Sequence, residues 1–449
     1  MRFAPAALAA VLLLAGCSSS TSNESSSAPA PMAESHPFNF TVTQVDTQYG
    51  TSEPSILVAP NGDLWIVGPT GFVTPATQHD PQPYTHDSGA FASRDGGKTW
   101  AFNARIPGYG RDPCPGGGDS DIAAAPDGAL FLIDLNLANV PIDVSTDNGN
   151  TWLFNCNSSI VPGLDRQWVS ATNDYVWISV NHLALGPIVY RAPRLGLPVG
   201  GLVFGPPVMV NHGGAIVVDA KEASTLYLAG DGATVEVSKD LGQTWTDVDT
   251  GLKGQALGGS FISIATDPAG DVFVAGAGKD GVVVSGSRDQ GKTWTPAFHF
   301  HPYGNTKGAE GEYGFAWVGA GGNGTVDVAW YGRPAKNETS EWATPKYGYY
   351  LFAGQSQDIL DHGANATAVY TRVSPTPVTE KELCTGISLV PPTPCDVADP
   401  SKTRELGDFF EAAVDNQGHF VVAYDDADGH DPPILMFAKQ SDGFFANGR

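Results

Sequence analysis

Ser93-Arg94-Asp95-Gly96-Gly97-Lys98-Thr99-Trp100 is one of four copies of a single pattern, Ser-x-Asp-x-Gly-x-Thr-Trp. The other copies run from Ser145 to Trp152, from Ser238 to Trp245 and from Ser287 to Trp294. Successive starts lie 52, 93 and 49 residues apart, and 93 is close to two periods with one copy decayed. A motif at fixed spacing means one supersecondary unit copied along the chain. The residue types describe a hairpin turn. Asp accepts hydrogen bonds from its own turn's backbone, Gly supplies positive φ, and Trp packs under the turn as the next strand begins. Turn geometry and packing explain every residue, so the motif is expected to be structural and to touch no ligand.

Between these turns a second element recurs: an apolar strand, a Pro-, Asn- or Asp-Gly-type turn, and another apolar strand. It is clear in 54–68 (PSILVAPNGDLWIVG), 121–134, 261–276 and 410–424, and weaker in 168–180, 216–230 and 315–330. Such alternation reads as the first two strands of a four-stranded antiparallel blade, with the Ser-x-Asp turn joining the third to the fourth. The fold class is therefore all-β, a propeller of seven blades starting near residues 46–58, 119, 165, 214, 260, 312 and 408. Six blades is the runner-up, with the weak third or sixth copy merged. The last blade has little chain left for its outer strand, so 38–45 (FNFTVTQV) is expected to close the ring by pairing there, hiding both sheet edges.

Composition agrees. The 449 residues include 54 Gly and 34 Pro, and only 16% are charged, which suits many turns and few long helices. A net charge of −24 repels phosphate backbones and excludes nucleic acid as a partner.

The repeated turns resemble the Asp box, or BNR repeat, of the sialidase-like β-propellers, and the resemblance covers residues 46–449 for fold. It implies looking for the catalytic set of sialidases: three arginines clamping a sugar carboxylate, a Tyr nucleophile assisted by Glu, and an Asp acid. Arg105-Ile106-Pro107 is similar to the family's first-arginine motif, but here it follows the first box instead of preceding it. Arg111, Arg166, Arg333 and Arg404 are the further clamp candidates. Asp119 or Asp121 would be the acid/base, and Tyr313 with Glu310 or Glu312 the nucleophile pair, although adjacent strand residues point to opposite faces.

Residues 1–17 give one Arg, an apolar run too short to span a bilayer, and Leu14-Ala15-Gly16-Cys17. That ending resembles the lipobox of prokaryotic lipoproteins, which implies a lipid-modified Cys17 and a chain held at the extracellular side of the cell membrane. The Ser-rich segment 18–37 has nothing to bury and reads as a tether before the propeller of 38–449. Four other cysteines in an oxidising compartment suit two bridges with three alternative pairings. Cys114–Cys156 and Cys384–Cys395 are favoured, the second closing a Pro-rich loop.

In an up-and-down blade the repeated turns share one end, so binding residues are expected at the other, where connections vary. Residues at the start of each inner strand would line a tunnel mouth there: Glu53, Asp119 and Asp121, Asp165 with Arg166, Glu310 and Glu312, and Asp408 with Glu411. Longer loops add His79, Asp80, Tyr84, His86 and Asp87, the stretch 331–346, and Asp425, Asp426, Asp428 and Asp431. Close like charges raise one another's pKa or call for a cation, so this ring is an acid/base site or a seat for Ca²⁺, with Asp426 and Asp428 the metal candidates. The leading expectation is a monomeric binding protein for a glycan or other surface polymer. The rivals are an exo-sialidase-type glycoside hydrolase and an assembly scaffold for a membrane complex.

Overall fold

Seven four-stranded antiparallel sheets follow one another along the chain in the computed structural model. It describes residues 38–46, 51–69, 88–103, 118–135, 140–155, 162–195, 202–230, 234–255, 257, 261–278, 281–302, 311–338, 342–384, 399, 401–430 and 433–446. The inner strands are Ser55–Val58, Ser120–Ala124, Leu164–Ala171, Ile216–Val218, Ser263–Thr266, Glu312–Gly322 and Ala412–Val414. Blades 1 to 6 run from inner to outer strand in chain order. Blade 7 takes its fourth strand from the other end of the chain: Phe40–Gln44 pairs antiparallel with Ile434–Gln440, from Phe40 opposite Gln440 to Gln44 opposite Met436. Seven blades and the closing strand are thus both observed.

Each of the four boxes joins the third strand of its blade to the fourth, and all are built alike. The Gly amide donates to the Ser Oγ at 2.8–2.9 Å. The Thr amide and hydroxyl donate to the two Asp oxygens at 2.8–2.9 and 2.6–2.8 Å. These hydrogen bonds favour the ionised form and hold the Asp95 carboxyl at about 2. The box Gly has a second reason beyond its positive φ: a Cβ on Gly97 would collide with Phe437 of blade 7, and one on Gly149 with Trp65 of blade 1. The box Trp reaches the same neighbours, Trp100 against Phe437 (5.1 Å between ring centroids) and Trp152 against Trp65 (6.0 Å). So the motif ties each blade to the one before it.

A fifth box stands in blade 6, where Ser356 Oγ donates to Asp358, and Thr367 donates to both Asp358 oxygens at 2.9 and 3.0 Å. The short helix Ile359–His362 is inserted between Asp358 and Thr367, which breaks the spacing that marks the other four.

The turn Asn61–Gly62 of blade 1, its box residues Asp95–Lys98, and Asp415–His419 of blade 7 line one groove of about 870 Å³. The two kinds of turn therefore share an end. The other connections meet at the opposite end, including the long segment from blade 6 to blade 7, in which Glu382–Leu383 pairs parallel with Lys402–Thr403. Beneath that end the tunnel is packed with aromatic rings: Trp168 on Phe261 at 5.2 Å, Phe261 near Phe409 at 6.5 Å, and Phe409 on Trp317 at 5.9 Å.

Candidate functional site

The acids gather at the mouth because strands from blades 7, 1, 2 and 3 begin there with polar residues. Two of those starts are bent in the same way. Glu53 has φ 51° and Arg166 has φ 48°, a left-handed backbone that is unusual outside Gly. At Arg166 the ladder skips from Asp165 to Gln167, a β-bulge, and the bulged residue turns inward. Two buried partners hold the Glu53 bend, since the Asp425 carboxyl takes the Glu53 amide and also the Thr51 hydroxyl at 3.2 Å.

The upper layer is Glu53, Asp119, Asp165, Asp408 and Arg404. Glu53 is buried and hydrogen-bonded to Asp119, and its Oε1 accepts from the Asp408 amide at 2.8 Å. Burial, then the Asp119 charge, push the Glu53 carboxyl well above the usual carboxylate range. Asp165 is exposed on its surface side, yet partial desolvation and the Asp119 charge raise it as well. Asp408 is held by a two-pronged ion pair with Arg404, whose Nη1 also donates to the Cys384 carbonyl at 3.0 Å.

Below lie Arg166, Asp121 and Glu411, all buried. The Arg166 guanidinium is sandwiched between Trp168 (4.1 Å) and Phe409 (3.7 Å), and none of its three nitrogens has a hydrogen-bond partner. Its charge acts through space on Asp121, Glu411 and Glu53 and holds each carboxyl lower than burial alone would. Asp121 is pinned by the amides of Ile122 (2.7 Å) and Val169 (2.8 Å), and burial pushes it up to about 6. Glu411 accepts from the Ile56 amide at 3.3 Å and is raised further, by burial and by the Asp121 charge.

Several expected residues are placed otherwise. Glu312 does not join the cluster. It is half exposed, ion-paired with Arg333 at 2.5 Å, and takes a hydrogen bond from the Tyr349 hydroxyl. The tyrosine beside Glu312 is therefore Tyr349, and Tyr313 instead packs with the apolar cluster of blades 5 and 6. Arg333 lies over Tyr349 and Tyr347 at 4.5 and 5.0 Å. With Arg333 and Arg404 engaged by acids and Arg166 between rings, no three guanidinium groups converge among the described residues. Asp428 is taken by Lys346 at 2.7 Å and Asp426 by the Asp428 amide at 3.0 Å. No group of three or more potential metal ligands occurs among the described residues.

Arg105, Arg111, Glu310, His79, Asp80, Tyr84, His86, Asp87, Asp431, Cys17, Cys114, Cys156 and Cys395 lie outside the described residues. Cys384 is disulfide-bonded, to a partner outside them. Sequence reasoning missed Tyr349, Thr51 and the ring sandwich around Arg166. Phe409, beside Asp408, was the one local signal for the sandwich.

No protein-family model and no curated protein matches the chain. Solved structures similar to it include a protein of unknown function from Dyadobacter fermentans DSM 18053 (14% identity, TM-score 0.47, covering 90% of this chain and 98% of that one). The α-L-arabinofuranosidase Arb93A of Fusarium graminearum is similar at 11% identity and TM-score 0.44, over 90% and 97%. The NanB sialidase of Streptococcus pneumoniae follows at 13% and 0.41, over 90% and 71%. At such identities the likeness concerns the fold. The seven four-stranded blades rest on the strand pairing described above, and the repeated box turns resemble the Asp box of the sialidase-like β-propellers.

Proposed function

We propose that this Asp-box propeller is a monomeric, lipid-anchored binding protein at the extracellular side of the cell membrane, which holds a neutral glycan at its acid-lined mouth. The observation that carries the reading is the Glu53–Asp119 pair, two carboxyls sharing one proton beside Asp165 and Asp408. Sugar hydroxyls both donate and accept hydrogen bonds. Two carboxyls hydrogen-bond to each other only through a proton on one of them, so the pair offers both functions at one point. An anionic sugar would meet uncompensated negative charge, because the guanidinium groups near the mouth are already engaged. The anchor is supported by Leu14-Ala15-Gly16-Cys17, and the Cys384–Cys395 pairing by the bonded state of Cys384.

The same pair supports a second reading, hydrolysis of a neutral glycoside, because a protonated acid beside a carboxylate is what protonating a leaving oxygen requires. One experiment separates the two. The purified protein is titrated with neutral, anionic and cationic oligosaccharides, with and without Ca²⁺, and each mixture is followed for sugar release. Saturable binding of a neutral glycan, lost in Glu53→Gln and without release, supports the binding protein. Release that Glu53→Gln abolishes makes it a hydrolase. Preference for an anionic sugar would overturn both.

A further inference from the structure

The chain enters the propeller at one definite point. Phe38 is buried. The Asn39 amide and side chain both donate to the Asp442 carboxylate at 3.0 Å, and the Ser441 amide donates back to the Asn39 carbonyl at 2.8 Å. Phe40 then pairs with Gln440. Gln440 and Ser441 line the groove that also contains Asn61, Gly62 and the box residues Asp95–Lys98. The N-terminal segment therefore joins the fold at the box end, at the outer strand of blade 7, on the side away from the acidic mouth.

Reach acts on that placement. The segment 18–37 has 20 residues, and a flexible chain of that length has a mean reach of about 25 Å. The inner strand Leu164–Ala171 has eight residues, so the propeller is about 26 Å thick along it at roughly 3.3 Å per residue. To bring the mouth against a membrane, the tether would have to run the whole thickness of the propeller and would have none of its mean reach left.

We infer that the box end is the membrane-proximal face and lies against the lipid surface, so that the mouth opens away from the membrane toward a partner outside it. The inference rests on the lipid anchor at Cys17. It narrows the ligand to something presented from beyond the membrane surface, such as a polymer approaching from outside, and excludes lipid headgroups of the protein's own membrane. It also gives the closing strand a mechanical role. Tension between anchor and ligand pulls Phe40–Gln44 along its own axis, so its five ladder positions resist together.

The test uses the full lipidated chain bound to vesicles of phosphatidylglycerol and phosphatidylethanolamine. Exposed lysines are acetylated and read by mass spectrometry, with the detergent-solubilised chain as reference. Lys98 and Lys292 report on the box end, and Lys253 and Lys381 on the mouth end. The expected result is several-fold slower labelling of Lys98 and Lys292 on vesicles, with Lys253 and Lys381 unchanged. Protection of Lys253 and Lys381, or equal labelling at both ends with lipid present on Cys17, overturns the orientation alone. Absence of lipid on Cys17 in the intact mass removes the premise, and the orientation falls with it.

Discussion

The inner strands of blades 3 and 6 carry the same backbone bulge with opposite contents. In blade 3 the ladder skips Arg166 (φ 48°), and in blade 6 it skips Phe315 (φ 43°) between Gly314 and Ala316. Arg166 goes to the centre of an acid cluster, whereas Phe315 packs on Tyr331 at 5.8 Å. The difference extends to the neighbours. Blades 7, 1, 2 and 3 supply Glu411, Glu53, Asp119, Asp121 and Asp165, while blades 5 and 6 supply Ile262, Phe315 and Trp317 to the apolar core. The scaffold thus offers an inward-turned position in more than one blade, and the side chain decides whether it becomes site or filling. One half of the tunnel is specialised for charge and the other holds it in place.

That contrast breaks most visibly if the two bulged residues are replaced. Arg166→Met removes the guanidinium that favours the ionised form of the buried Asp121 and Glu411, and should cost about 3–5 kcal/mol at pH 7. The loss should shrink in acid, where those carboxyls are neutral. Phe315→Ala should cost a similar amount, about 3–5 kcal/mol, from the cavity alone. Its cost should be the same at both pH values. Denaturant unfolding at pH 7 and in acid reads both, and equal pH dependence in the two variants would erase the distinction between the halves.

Asp121 sharpens the point. Its folded-state value, about 6, lies above the ordinary aspartate value, so the native state binds its proton more tightly than the unfolded chain. The stability it contributes is complete below the unfolded value and is lost as pH rises through the folded one. The span is on the order of 3 kcal/mol. Asp121→Asn should flatten the fall in stability across that window. A smaller step comes from Gly407, whose φ is 65° and whose added Cβ would run into the Glu53 side chain. Gly407→Ala should cost about 1–2 kcal/mol for the left-handed backbone. It should also weaken ligand binding by moving Glu53, even though Gly407 itself offers the ligand no side chain.

The architecture was legible because it is written locally. Each box is eight contiguous residues with a turn chemistry of its own, and the last blade has too little chain for an outer strand, which points to 38–45 as the closing one. The blade 6 box escaped because Ile359–His362 separates Asp358 from Thr367, and a contiguous pattern cannot see across an insertion. The site was half legible. Glu53, Asp119, Asp165 and Asp408 could be placed at a common end because blade register carries them there. Tyr349 could not, since it reaches Glu312 across 37 residues. Side-chain pairing between distant segments is a tertiary property, and no spacing in the chain encodes it. The left-handed bend at Glu53 depends likewise on Asp425, 372 positions later.

Glu312 gives the smallest and most discriminating effect. By sequence it is the blade 6 counterpart of the acids at the mouth, and a ring of equivalent carboxylates would make its loss as damaging as that of Glu53. In the structure its charge is spent on Arg333 and Tyr349, with nearly half of its side chain exposed. Exposed ion pairs contribute about 0–1 kcal/mol. Glu312→Gln should therefore change stability by no more than that and leave glycan affinity at the wild-type value, in a titration where Glu53→Gln abolishes binding. Equal losses in the two variants would mean that the ligand spans the tunnel and touches both halves. The mouth would then have to be redrawn as a full ring, with Arg333 and Tyr349 among its binding groups.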